Sequence, residues 1–312
     1  MIRFNSPPPS SPDGVALLTR RNALAGVTAA AAVLLSERAA CAAVRGPVLA
    51  PPEEAKLVRL SSVVTPLDGG LYDALLPDFT RETGYRVALT TSEAVFAPAR
   101  SGKADIVLSH YGHTDLKAFM EDELGEWPQA AFFNLLALIG PASDPARVAG
   151  SSDLVEAFRR LAAARVPFVV NDADGVKYLS NVLWEAVGRP AKEGWYLDEQ
   201  ARGPGAIALA AEKGGYTIWG LTPFLRMQRA GRPGSLAPLV FGDPLTQRIM
   251  VTIAVRGDKL AGINVAGAKA FQDYLIAPRT QALIHNFRLA GIDRQIWYPA
   301  GRNNAGDVLG VN

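Results

Sequence analysis

The chain has 312 residues, 49 % of them apolar, a formal net charge of +2 and a single cysteine. That length and apolar content bury a full core and point to two lobes rather than one. A near-neutral balance argues against nucleic acid as a partner, and one cysteine excludes a disulfide framework.

Residues 1–43 differ in kind from the rest. TRRNALAGVTAAAAVLLSERAACAAV places a cationic patch before a short Ala/Leu/Val run and a small-residue finish, the pattern of an export signal. Arg20 and Arg21 suggest the twin-arginine route, although Ala23 and Ala25 fit that motif poorly and the ordinary secretory route stays open. The run is too short to cross a bilayer. Arg38 stands where a lipoprotein signal needs an apolar residue, so cleavage shortly after Cys41, at Ala40–Cys41–Ala42, is expected ahead of the alternative, a lipid anchor on Cys41; the cut leaves a mature chain without thiol chemistry. The cut removes Arg3, Arg20, Arg21 and Arg38 with Asp13 and Glu37, so acidic and basic residues then balance. A periplasmic, cleaved protein follows.

A Pro-rich linker over 44–56 leads into alternating strands and helices, the rhythm of an open, mostly parallel sheet. KLVRLSSVV reads as a strand, and GLYDALLPDFTRETG as a helix with Leu71, Leu75 and Phe79 on one face, closed by Gly84. YRVALTT is a second strand, 93–101 a short helix, ADIVLSH a third strand and TDLKAFMEDELG a further helix. The long apolar run AAFFNLLALIGP can cross between lobes. A fresh series then opens on SSDLVEAFRRLAAAR, with Ser152, Asp153 and Glu156 as capping residues. PFVVN, a helix near 176–187, a helix opened by GPG, the strand YTIW and the helix around TPFLRMQ complete it. PLVFG and RIMVTIAV read as return strands, and AGAKAFQDYLI and TQALIHNF as helices that pack back on the first lobe. The expected organisation is one discontinuous lobe over 57–138 and 247–298, a second over 139–246, and a tail over 299–312. Two α/β lobes joined by two crossing strands leave a cleft, the usual place for a ligand.

The turn in LSSVVTPLDGGL puts small hydroxyl residues, Pro, Asp and paired Gly between a strand and a helix. Backbone N–H groups at such a turn suit a small anion, and the same residues also serve as an ordinary N-cap. His110 ends its strand toward the cleft, with His113 just beyond. The two could bind metal, but NDADG at 171–175 lacks the spaced ligands of a calcium loop, and no metal site is expected. No Gly-x-Ser-x-Gly elbow, reactive cysteine or phosphate-cradling loop is present, so no enzyme is expected.

LSSVVTPLDGGLYDALLPDFTRETGYRV, GKADIVLSH, AEKGGYTIWG and VFGDPL, in that order, resemble the tungstate-binding receptors of bacterial ABC importers from about residue 57 to 290. The resemblance implies a type II periplasmic binding protein: a monomeric, exported receptor that closes on a small oxyanion and hands it to an inner-membrane permease, with no cofactor and no chemical step. The family's ligand motifs carry over unevenly. A Thr-Thr-Thr-Ser run falls on Ser62, Val63, Val64 and Thr65, and a Gly-Thr-Gly turn on Thr91, Ser92 and Glu93. The arginine of an Arg-Gly-Asp stretch becomes Asn171, with Val176 and Lys177 closing a shortened loop, and Trp219 occupies the ground of a second arginine. Two occupants therefore fit. One is an oxyanion held by amides, Ser62, Thr65, Thr91, Ser92 and Lys177. The other is a neutral or partly cationic organic molecule stacked on Trp219 and paired with Glu93 or Asp174. A receptor that reports its ligand to a membrane sensor would use the same closing motion.

Overall fold

The computed structural model describes residues 56–301 apart from Pro233. The expected export signal, almost all of the linker, the tail beyond Gly301 and the Asp174 side chain lie outside the described residues.

In chain order the elements are β1 (Leu57–Ser62), α1 (Thr65–Asp68), α2 (Leu71–Thr83), β2 (Arg86–Thr91), α3 (Ala97–Arg100), β3 (Ile106–His110), α4 (Thr114–Glu121) and β4 (Gln129–Pro141). There follow α5 (Leu154–Ala164), β5 (Phe168–Val169), α6 (Asp174–Ala186), β6 (Tyr196–Leu197), α7 (Pro204–Lys213), β7 (Thr217–Gly220), α8 (Leu221–Arg229), β8 (Leu236–Val240) and β9 (Gln247–Ala254). The last are α9 (Val265–Ile276), α10 (Pro278–Asn286) and β10 (Tyr298–Pro299).

The sheet order β10-β4-β9-β3-β1-β2, with β7 and β8 also on β4, explains the two-lobed build. β1 runs parallel to β2 and β3, the arrangement that the intervening helices impose on consecutive strands. The 13-residue β4 pairs with β9 over its first half and with β7 and β8 over its second, so it passes from one lobe into the other while β9 returns. An apolar run interrupted only by Asn134, AAFFNLLALI, is what a strand buried on both faces requires. Leu136 and Leu138 enter one hydrophobic cluster of the second lobe, whereas Leu135, Ala137 and Ile139 enter the cluster on the opposite face.

The first lobe's core is drawn from the early strands and helices and from the C-terminal third of the chain. Phe79 of α2 packs edge-on against Phe271 of α9 at 5.0 Å. In the second lobe Phe158 of α5, Phe168 of β5, Trp184 of α6 and Trp195 form one aromatic cluster. Helix α5 begins where Asp153 Oδ1 accepts the Glu156 amide at 2.7 Å, satisfying a backbone donor that the helix leaves unpaired.

The paired glycines of the first turn have a packing reason. Gly70 has φ +69°, and a Cβ on Gly69 would stand 2.6 Å from the Trp297 ring. Trp297 Nε1 donates to Gly69 O at 3.2 Å, so the C-terminal segment is fastened over that turn.

Candidate functional site

In an open α/β sheet, ligands bind beyond the carboxyl ends of the strands. In the first lobe the ends of β1, β2 and β3 lie in register, Ser62 standing beside Thr91 on one side and Leu108 on the other. The Val63 amide donates to Leu108 O at 3.1 Å and the Ser92 amide to Ser62 O at 3.2 Å, which brings Ser62, Thr91, Ser92 and His110 to one rim of the sheet.

The hydroxyls on this rim are mostly committed within the protein. Ser62 is buried, its Oγ 2.5 Å from the Tyr72 hydroxyl and 2.8 Å from Val63 O. Burial of Tyr72 pushes its pKa up, so the phenol stays protonated. Ser92 Oγ accepts the Ala94 amide at 3.0 Å. Val63 is part of the first lobe's core, while Val64 is 47 % exposed. The amides of Val64, Thr65 and Leu67 have no hydrogen-bond partner among the described residues. Glu93 is exposed, and its carbonyl lies 3.3 Å from His113 Nε2. Since His113 Nδ1 accepts the Asp115 amide at the start of α4, Nε2 is the protonated nitrogen and donates to Glu93 O.

The second lobe presents Asn171, Val176, Lys177 and Trp219. Asn171 is buried and ties three segments together: its Nδ2 donates to Ile218 O at 3.1 Å, and its Oδ1 accepts the amides of Gly203 at 2.9 Å and Ala173 at 3.3 Å. Its side chain thus positions the starts of α6 and α7. Lys177 Nζ lies 2.6 Å from Asp172 Oδ1 and 3.7 Å from Asp198 Oδ1, and the hydrogen bond to Asp172 holds its pKa above the ordinary lysine value. Its charge is matched. Val176 is buried in the aromatic core of this lobe, and half-buried Trp219 packs on the cluster across β4.

One cation on the crossing strands has no such match, and motif comparison misses it. Arg248 stands on β9 opposite Asn134 of β4, two residues before Met250, which pairs with His110 at the end of β3. Antiparallel residues two apart share a face and diagonal neighbours lie within reach of long side chains. Arg248, Met250, His110 and Asn134 therefore occupy one face, with Arg248 just past the end of β3. Loss of water pulls the Arg248 pKa down to about 10. Among the described residues its guanidinium has neither a carboxylate partner nor a hydrogen bond. A Cβ on Gly175 would stand 3.9 Å from Arg248 Nη2, so the guanidinium reaches the first turn of the 13-residue α6, where the Gly175 amide has no partner among the described residues. Opposite it on β4, the buried Asn134 Oδ1 also lacks a partner among the described residues.

His110 feels this arginine. Burial lowers its pKa well below the ordinary 6.5, and the charge of Arg248 lowers it further, so the imidazole is neutral. The sequence signal for Arg248 is a charge inside QRIMVTIAV, an otherwise apolar returning strand.

No protein-family model matches the chain. It is 30 % identical over 235 residues to the tungstate-binding protein TupA of Peptoclostridium acidaminophilum, covering 73 % of this chain and 80 % of the relative. A Haloferax volcanii protein that carries the name of an ABC transporter anion-binding protein is 29 % identical over 246 residues, 77 % of this chain and 71 % of the relative. The solved structure of the tungstate-binding protein TupA from Desulfovibrio alaskensis G20 superposes with a TM-score of 0.69 at 27 % identity, over 78 % of this chain and 98 % of that one. The chain belongs to the tungstate-binding protein family, and its two lobes have the type II periplasmic-binding-protein fold.

Proposed function

We propose that the protein is an exported receptor that captures a small tetrahedral oxyanion, tungstate or molybdate, between its lobes and delivers it to an ABC permease of the inner membrane. It acts as a monomer in the periplasm, its leader removed, without a cofactor or a chemical step. Its relatives are named as tungstate-binding and anion-binding proteins.

The observation that carries this reading is Arg248 at the first turn of α6, without a partner among the described residues. A desolvated guanidinium is costly to keep without an anion, and each charge-assisted bond it makes contributes about 1.5–3 kcal/mol. The helix N-terminus adds free amide donors and a positive dipole end. The organic-ligand reading relies on residues that face elsewhere: Val63 and Val176 are core residues and Trp219 packs against the second lobe's own cluster.

Isothermal titration of the ligand-free protein with tungstate, molybdate, sulfate and phosphate tests the reading. Micromolar or tighter binding of tungstate or molybdate is expected, and no heat with any of the four would overturn it.

A further inference from the structure

Resting on the oxyanion reading, we propose that His110 takes up a proton when a doubly charged tetrahedral oxyanion binds beside Arg248, so that the site acquires its second positive charge only with a dianion and thereby distinguishes dianions from monoanions.

The argument begins with charge. Beside Arg248 alone a tetrahedral dianion keeps one negative charge beyond the guanidinium's, which only amide dipoles face, and a second cation in a cleft that excludes water stabilises it further. Arg248 supplies one. Lys177 of α6 is already matched by Asp172 and Asp198, and Arg226 by Asp68 of α1. His110 remains, a diagonal neighbour of Arg248 on the same face of β3 and β9.

The surroundings of His110 decide its behaviour. From β9 it faces Arg248, whose charge depresses its protonation, and from the β3–α4 turn His113, whose Nδ1 accepts the Asp115 amide. Neighbouring Tyr111 is exposed, the β1 end offers Ser62 bonded to Tyr72, and the β2–α3 loop offers Glu93, whose carbonyl is tied to His113. No carboxylate among the described residues contributes to its titration. Its protein surroundings therefore hold His110 neutral, and the charge of a bound anion is what can change it.

A monoanion beside Arg248 cancels the guanidinium charge and leaves no net field to draw a proton. A dianion overcompensates Arg248 by one negative charge, and that remainder raises the imidazole pKa. By linkage, a group protonated only in the complex makes binding take up a proton between its two pKa values. Affinity then rises as pH falls through that window.

Tungstate and perrhenate are tetrahedral oxyanions that differ by one charge. Titration of the full-length mature protein with each, at pH 7.5 in buffers of different ionisation enthalpy, counts the protons taken up. Tungstate binding is expected to take up close to one proton and to weaken about tenfold per pH unit from 7 to 8.5. Perrhenate is expected to take up less than half as much. His110→Gln should abolish the uptake and flatten the tungstate pH profile, with circular dichroism confirming its fold. Tungstate binding with no proton uptake in the wild type overturns this inference and leaves the oxyanion reading standing, whereas failure of both anions to bind removes both.

Discussion

Lys177 Nζ lies 2.6 Å from Asp172 Oδ1, with Asp198 next to it, so the lysine that replaces charge in the shortened loop is matched by carboxylates of its own lobe. Partly exposed pairs of this kind contribute at most about 1 kcal/mol. Lys177→Met is expected to change tungstate affinity by less than about threefold and the unfolding free energy by less than about 1 kcal/mol, read by calorimetry and urea denaturation. A hundredfold loss of affinity would return Lys177 to the ligand shell.

The inward turn of Ser62 makes a second prediction. Its hydroxyl is the partner of the buried Tyr72 phenol, so Ser62→Ala leaves a buried O–H without an acceptor. The cost is about 1–3 kcal/mol of stability. Tyr72→Phe together with Ser62→Ala should recover part of that loss, because the orphaned group is then removed. Urea denaturation of both variants measures the difference, and an equal or larger loss in the double variant would contradict the pairing.

The neutral His110 also predicts how stability depends on pH. Its folded pKa is depressed below 6.5, so as pH falls through 6.5 the unfolded chain binds a proton that the folded chain does not, and stability declines. The limiting slope for one proton is about 1.4 kcal/mol per pH unit. The midpoint of thermal unfolding of the ligand-free protein should fall from pH 7 to 5.5, and His110→Gln should flatten that decline. An equally steep decline in the variant would place its origin elsewhere.

Much of the architecture was legible because it rests on local patterns. The long apolar run of β4 announced a segment that crosses between lobes, the Asp153 cap marked the start of α5, and Gly84 and Gly214 mark the ends of α2 and α7 with left-handed φ. Two-residue strands such as β6 and β10 carry no periodicity and exist only through their partners in β5 and β4. The site was less legible for a related reason. Whether a hydroxyl or a carboxamide faces a cleft depends on residues further along the chain: Tyr72 for Ser62, and Ile218 and Gly203 for Asn171. Motif comparison could note that two family arginines were missing, but Arg248 enters from a different strand, and only the register of β9 against β4 and β3 brings it to the start of α6.

The central claim is that Arg248 supplies the charge that holds the oxyanion, and titration of Arg248→Met with tungstate tests it most directly. Loss of two or more charge-assisted bonds predicts at least a hundredfold weaker binding than wild type, with partial recovery in Arg248→Lys, which keeps the charge but not the fork. Wild-type affinity in a folded Arg248→Met variant would contradict the account.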